Sequence, residues 1–334
     1  MNRNNPEWRP TSSLRILEKR AHLLRHTRRF FNDRNVLEVE TPILTRAGST
    51  DPYLSNVCGR LATHPDVNFY LQTSPEFAMK RLLAAGSPDI YQICKVFRDT
   101  ELGSVHQPEF TMLEWYRKGI TLDEMIEETC SLIIALCRSD PQETSQSLLA
   151  PRKIYAYPDL FNAIAGLDPL TATTDDLIQC ASRKTQLVTP QFVKQLGLDR
   201  KAWLDFLMSH LIIPNMRDTG LVVIQNYPAD QAALARLKTD DERFAERFEV
   251  FFRGLELANG YHELLEPAEQ RRRFEEDRRQ RSCAGKPDMP IDEALIAALE
   301  AGLPDCCGVA VGFDRLLMSL YDLSDIAESI SFGH

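Results

Sequence analysis

The chain has no apolar run of membrane-spanning length anywhere in its 334 residues, which argues against a transmembrane protein. Its opening stretch, MNRNNPEWRP, is polar and has no apolar segment of the kind that forms a secretion signal. Cysteine occurs at Cys58, Cys94, Cys130, Cys137, Cys180, Cys283, Cys306 and Cys307, but nowhere as a C-x-x-C pair. That spacing argues against zinc, and no disulfide framework is expected in so long a chain without a signal. The thiols are expected to be reduced, cytoplasmic and mostly core filler. Positive charge is in deficit: 39 lysines and arginines face 48 acids, for a net charge of −9. This balance argues against a general nucleic-acid binder. Two basic clusters exist, one from Arg15 to Arg29 and one from Arg271 to Arg281. Glu275, Glu276 and Asp277 interrupt the second, and both read as solvated helix faces. No internal repeat or low-complexity tract is present.

The remaining composition is that of a globular protein with a large core, 43% hydrophobic and 26% charged. Leu14, Leu17, Ala21, Leu24 and Phe31 recur at near-helical spacing and predict a helix over 14–34. VLEVETP (36–42) reads as a strand ended by proline, and 69–73 as a short strand. Residues 74–86 predict a helix with Ser74 as N-cap, Pro75 at its first position and Gly86 as its stop. A helix near 121–137 and a polar linker over 139–153 follow. Short helices are expected over 154–215, then strands at 221–228 and within 243–265. Helices near 268–284 and 292–301 precede a strand–turn–helix at 308–320. Hairpins and long excursions, without regular βαβ alternation, favour an α+β fold with a mostly antiparallel sheet.

The segment FRDTELGSVHQPEFTMLEWYR (97–117) carries the first chemical signal. Residues 90–98 and 109–117 are rich in β-branched and aromatic side chains and flank a polar loop containing Gly103. They read as a hairpin. Alternation puts Phe110, Met112, Glu114 and Tyr116 on one face. A buried structural face is more often uniformly apolar. Two hydrogen-bonding members point to a site, against the alternative of a half-solvated edge.

RFEVFFRGLELANGYHEL (247–264) carries the second. A turn centred between Phe252 and Arg253 would set Glu249 opposite Glu256. Facing acids destabilise a ladder unless a cation lies between them, and hard oxygens suit Mg²⁺. A shifted register, separating the two acids, is the alternative. Asn259, Tyr261 and Glu263 share the other parity, and a bulge near Ala258 would let both sets face one cavity. In GVAVGFDRLLM (308–318), Gly308 and Gly312 permit close approach by a ligand. The spacing is neither a P-loop nor a dinucleotide fingerprint. Arg315 sits in a first helical turn, where positive charge is unfavourable unless an anionic or aromatic partner offsets it. A solvated arginine is the alternative.

Together these segments resemble the catalytic core of class II aminoacyl-tRNA synthetases, most closely the lysyl-specific enzymes. VLEVETP is similar to motif 1, FRDTE…HQPEFTMLEWY to motif 2 and GVAVGFDR to motif 3. TSPEFAMKRLL and ELANGYHEL also resemble that family, and the match runs in order from about residue 14 to about 320. The resemblance implies ATP bound in a bent form over an antiparallel sheet, a single catalytic domain over 1–334 with a helical insertion near 140–215, and a homodimer built through motif 1. Carried over, Arg98, Glu256 and Arg315 would be catalytic, with Arg98 on the α-phosphate. Phe110 and Arg315 would sandwich the adenine. Asp99, Thr100, Glu101, Gln107, Leu257 and Gly312 would complete the nucleotide site, and Glu249 and Glu256 would hold Mg²⁺. Ser74, Pro75, Glu76, Glu114, Tyr116, Asn259, Tyr261, Glu263 and Ala310 would surround a lysine-like substrate. Acids in that set suit two ammonium groups.

The chain departs from the family at Asp99-Thr100, where Asn-Glu is common, so the adenine-reading role falls to Glu101 or Thr100. Gln107 stands where Asn is common. Motif 1 begins within about 40 residues of the start, so the N-terminal anticodon-binding domain of lysyl enzymes is not expected. That makes the chain similar to a stand-alone paralogue of those enzymes that modifies elongation factor P. Ala310, where lysyl enzymes commonly have glycine, agrees, because an added methyl reshapes a tight pocket. The resemblance implies ATP-dependent activation of (R)-β-lysine and transfer to a lysine ε-amine of elongation factor P, with tRNA disfavoured. The rival readings are a truncated synthetase that charges tRNA and a non-catalytic paralogue acting as a binding module.

Overall fold

The structure is a computed structural model that describes residues 8–99, 101–216 and 220–333. Ser13 starts α1 (Leu14–Asn32) by accepting a hydrogen bond from the Ile16 amide, and Leu23, Phe30 and Phe31 form its buried stripe. There follow β1 (Leu37–Glu38), β2 (Leu44–Thr45), β3 (Cys58–Leu61), β4 (His64–Leu71), α2 (Glu76–Ala84), β5 (Ile90–Phe97) and β6 (Glu109–Lys118). Thr121 and Glu124 form a reciprocal capping box at the start of α3 (Leu122–Arg138). Then come β7 (Lys153–Ala156), α4 (Tyr157–Leu160), α5 (Thr174–Lys184), α6 (Pro190–Leu196) and α7 (Arg200–Leu207). The chain continues through β8 (Val222–Pro228), β9 (Phe244–Phe252), β10 (Leu255–His262), α8 (Pro267–Cys283), α9 (Glu293–Gly302), β11 (Cys306–Gly312) and α10 (Phe313–Tyr321).

Eight strands form one sheet in the order β1-β5-β6-β11-β10-β9-β8-β7. The interior pairs are antiparallel, and only the edge pairs β1/β5 and β7/β8 are parallel. This is the mostly antiparallel α+β sheet expected. One face is closed by α1, α3 and α10, whose Phe31, Ile133 and Leu317 pack with Leu113, Trp115, Val309 and Val311. The opposite face carries two separate apolar clusters. The helices between 157 and 216 cover Val222, Ile224 and Phe251, while α2 and α9 cover Ile90, Tyr116 and Cys306. Between those clusters the middle strands are left open, and the site lies there.

Several elements differ from expectation. Within 36–42 only Leu37–Glu38 pairs, although the Val39 amide still reaches the Tyr91 carbonyl; Pro42 then ends the extension. The strand expected at 69–73 is β4, which belongs to an unforeseen three-stranded sheet, β2-β4-β3. The supposed linker after α3 is packed rather than free: Leu148 is buried in the core, and the Ser145 amide bonds the Leu320 carbonyl. The region near 140–215 also supplies β7, an added edge strand. All eight cysteines are free.

Candidate active site

Ser74 begins the construction. Helix α2 starts at Glu76, one residue later than expected, yet Ser74 Oγ still accepts the Glu76 amide at 3.0 Å. The same hydroxyl donates to Glu114 Oε2 at 2.7 Å. Tyr116 donates to Glu114 Oε1 at 2.8 Å. The even-numbered face of β6 is therefore a site floor. Ala310 lies opposite Glu114 and Gly308 opposite Tyr116 on β11, where small residues leave room for these two side chains.

The β9/β10 hairpin corrects one expectation. Arg253 and Gly254 are its two turn residues, both at positive φ, so Phe252 pairs with Leu255. Such a turn needs left-handed backbone at both central positions, and Gly254 belongs there without strain. Glu249 consequently faces Asn259, not Glu256. A register shift between Glu256 and Ala258 supplies the expected bulge. It reverses the side-chain parity, so Glu256 shares a face with Asn259 and Tyr261, while Leu257 is buried in the core on the other side. Any nucleotide contact by Leu257 must use its backbone.

A cavity of about 1210 Å³ opens over this floor. Ser74, Pro75, Glu76, Glu114 and Tyr116 line it from one side, and Asn259, Tyr261, Glu263 and Ala310 from the other. All nine residues expected around an amino-acid substrate are thus brought together. Arg98 reaches the same wall, lies over the Phe110 ring at 5.1 Å and has Glu101 at 3.6 Å. Beyond it, Arg315 donates to the carbonyls of Val105 and Glu256, with the Glu256 carboxylate at 3.6 Å. The Glu256 carboxylate is the anionic partner its place in the first turn called for. His106 Nε2 lies 2.6 Å from Arg315, and burial, then the guanidinium, lowers that histidine's pKa, so its neutral ring nitrogen accepts. Gly312 is the N-cap of α10. Gln107 is buried beside the same loop, Asp99 donates its amide to the Ser55 carbonyl, and Thr100 lies outside the described residues. Gly308 lines the cavity, and a Cβ there would come within 2.3 Å of Glu263 and 2.4 Å of Tyr116, so its smallness admits these side chains.

Burial dominates the electrostatics. It pushes the Glu114 carboxyl up to about 7, with Glu76 adding to the effect and the hydrogen bonds of Ser74 and Tyr116 opposing it. It also raises Glu249, against the pull of Arg247, and the charge of Glu256 raises it further. Two neighbouring hard-oxygen donors that repel one another fit a small divalent cation, which takes its remaining ligands from phosphate and water. Among the described residues no three histidine, cysteine or acidic groups gather as a metal cage.

Sequence reasoning missed three residues. Lys80, buried, bridges Glu76 and Glu263; its helical i,i+4 spacing from Glu76 was the available signal. Arg247 pairs with Glu249 and lies over the Tyr227 ring; it shares strand parity with Glu249. Asp314 accepts from Arg20 at 2.5 Å and from the Thr111 amide at 2.7 Å, fixing α10 against α1 and β6. No local pattern marks that contact.

An antiparallel sheet bearing an acid-lined pocket with Arg98 at its wall fits an amino-acid-activating enzyme. A family model for class II tRNA synthetases (D, K and N) matches residues 4–334, so the chain belongs to that family and is an ATP-dependent ligase. It is 43% identical to the elongation factor P–(R)-β-lysine ligase of Mannheimia succiniciproducens, over 98% of this chain and 97% of that protein. The ligases of the same name from Haemophilus influenzae and Avibacterium paragallinarum are each 42% identical, over 98% of this chain and 97% and 98% of theirs.

Proposed function

We propose that the chain activates (R)-β-lysine with ATP and transfers it to a lysine ε-amine of elongation factor P. The observation that carries this reading is the convergence of Glu76, Glu114 and Glu263 at one end of a cavity whose wall also holds Arg98. Buried acids suit a substrate with two ammonium groups, and the names of the relatives supply the acceptor. In the first step the substrate carboxylate attacks the α-phosphorus, giving an adenylate and releasing pyrophosphate. Arg98 stabilises the charge that develops on the phosphate oxygens, and Phe110 and Arg315 hold the adenine between them. Glu249 and Glu256 would hold Mg²⁺, which when bound offsets phosphate charge. In the second step the acceptor amine attacks the adenylate carbonyl and AMP leaves. Neither step needs a covalent nucleophile, in keeping with thiols that burial raises well above neutrality at Cys94, Cys130, Cys306 and Cys307.

The second basic cluster does not favour tRNA. Arg271 pairs with Glu293, Arg272 and Arg273 with Glu269, Arg278 with Asp288 and Arg279 with Glu276. The same reading includes a homodimer built through motif 1 (36–42). The test of function is mass spectrometry of elongation factor P after incubation with the enzyme, ATP and each lysine isomer. One added lysyl mass is expected, on a larger fraction of elongation factor P with the β-isomer. Efficient charging of tRNA with no change in elongation factor P would overturn the reading.

A further inference from the structure

One buried cation has no part in the chemistry above. Lys80 sits in the middle of α2, and its ammonium is 2.6 Å from Glu76 Oε1 and 2.6 Å from Glu263 Oε2. Its side chain is only 1% exposed. Both carboxylates line the cavity, but Lys80 stands behind them and does not. Glu263 is equally buried, and its Oε2 receives no well-directed hydrogen bond among the described residues. Its Oε1 is pressed against Gly308. The carboxylate is therefore fixed in place with acceptor capacity unspent.

The groups that face the Lys80 ammonium are Glu76 on α2, Glu263 just past β10, Glu114 on β6 and the Cys306 thiol on β11. The Tyr116 hydroxyl donates to Glu114. Arg247, which also lines the cavity, is matched by Glu249. With all three ionised against a bound diammonium group, three carboxylates less one ammonium leave two negative charges at the closed end. An amino acid with two ammonium groups brings two positive ones.

We infer that Lys80 is a positioning residue that sets this charge count, neutralising one of the three carboxylates from behind so that the pocket matches a diammonium substrate. The inference rests on the reading that the site takes a lysine-like amino acid. Three carboxylates gathered so closely, two of them buried, do not all stay ionised without a cation. Without Lys80 a proton has to take its place, and the geometry of Glu76 and Glu263 relaxes.

The test is a double-substitution cycle read by calorimetric binding. β-Lysine is the diammonium probe and 6-aminohexanoate the monoammonium one. Glu263→Gln removes one negative charge and Lys80→Met the positive one; together they restore two negative charges. Each single change is expected to weaken β-lysine binding by about tenfold or more. The double variant is expected to bind it several-fold more tightly than Glu263→Gln alone, because charge is rebalanced. In Lys80→Met the binding enthalpy should also depend on the ionisation enthalpy of the buffer more than in the wild type, since a proton replaces the lysine. The double variant carries the same net charge at this end as the wild type, so it is expected to fold even where Lys80→Met does not. Additive losses, or an unchanged preference between the probes in the double variant relative to Glu263→Gln, would overturn the inference alone. A wild-type chain that binds neither probe would overturn the functional reading along with it.

Discussion

Glu114 illustrates what a binding acid costs the folded state. It is 3% exposed, and burial raises its carboxyl from an ordinary 4.5 to about 7. A raised carboxyl binds its proton more readily in the folded chain than in the unfolded one. Its contribution to stability is therefore fully present below about 4.5 and is lost as pH rises through about 7. Glu114→Gln removes that loss. The variant is expected to melt above the wild type at pH 8, by roughly 1–3 kcal/mol in stability, with the gain vanishing toward pH 5. Calorimetric melting at the two pH values decides it; a variant that melts lower at pH 8 shows that the bonds from Ser74 and Tyr116 outweigh desolvation. Glu256 makes the complementary case, since the role proposed for it is chemical. Glu256→Gln keeps the shape and weakens a metal ligand, so amino-acid-dependent ATP–pyrophosphate exchange should slow by orders of magnitude. Exchange at the wild-type rate would remove Glu256 from the metal site.

Strand β11 separates two uses of glycine that look identical in GVAVG. A methyl at Gly308 would collide with Glu263 and Tyr116, both held in place by their own partners. Gly308→Ala is expected to cost about 1–3 kcal/mol of stability and to abolish activation. At Gly312 the nearest atom to an added Cβ is 3.6 Å away, on Arg315, so Gly312→Ala should fold with nearly wild-type stability. If the nucleotide lies over this glycine, as the family resemblance implies, that variant should raise KM for ATP severalfold and leave KM for the amino acid alone. Steady-state exchange kinetics with each substrate varied would show this, and an unchanged KM for ATP would move the nucleotide elsewhere. The contrast explains what could be read in advance. Strand parity placed Glu114, Tyr116, Asn259, Tyr261 and Glu263 because alternation is a local property of the backbone. The facing of Glu249 was misplaced by the turn, since a single glycine does not reveal that Arg253 also adopts positive φ. Nothing local distinguishes a glycine that yields to a tyrosine from one that yields to a ligand.

Across the molecule, the sheet was legible where strands alternate or follow one another as hairpins, and illegible where exposed, mixed residues pair. The strands β3 and β7 are of the second kind, mostly surface-facing in CGRL and KIYA. Contacts between distant segments, such as Arg20 with Asp314, were invisible for the same reason: they depend on the assembled fold. The first strand pairing raises the last question. The stretch from β1 to β2 exposes Leu37, Ile43 and Leu44, by 50%, 40% and 40%, although one end of it is tied to the sheet and the other to β4. Apolar side chains clustered on an ordered segment are a liability unless something covers them. A second copy of the chain is the occupant the motif 1 resemblance implies, and covering the patch in a symmetric pair would place the same segment on both sides of a two-fold axis. Light scattering at micromolar concentration is expected to give about twice the 38.1 kDa of one chain. Ile43→Lys with Leu44→Lys places two charges in each half of that contact and should yield monomers. Leu44 lines the cavity and Ile43 does not, so calorimetric binding of the amino acid by Ile43→Lys alone shows whether the pocket needs its partner. A wild-type chain that stays monomeric at tens of micromolar would refute the pairing.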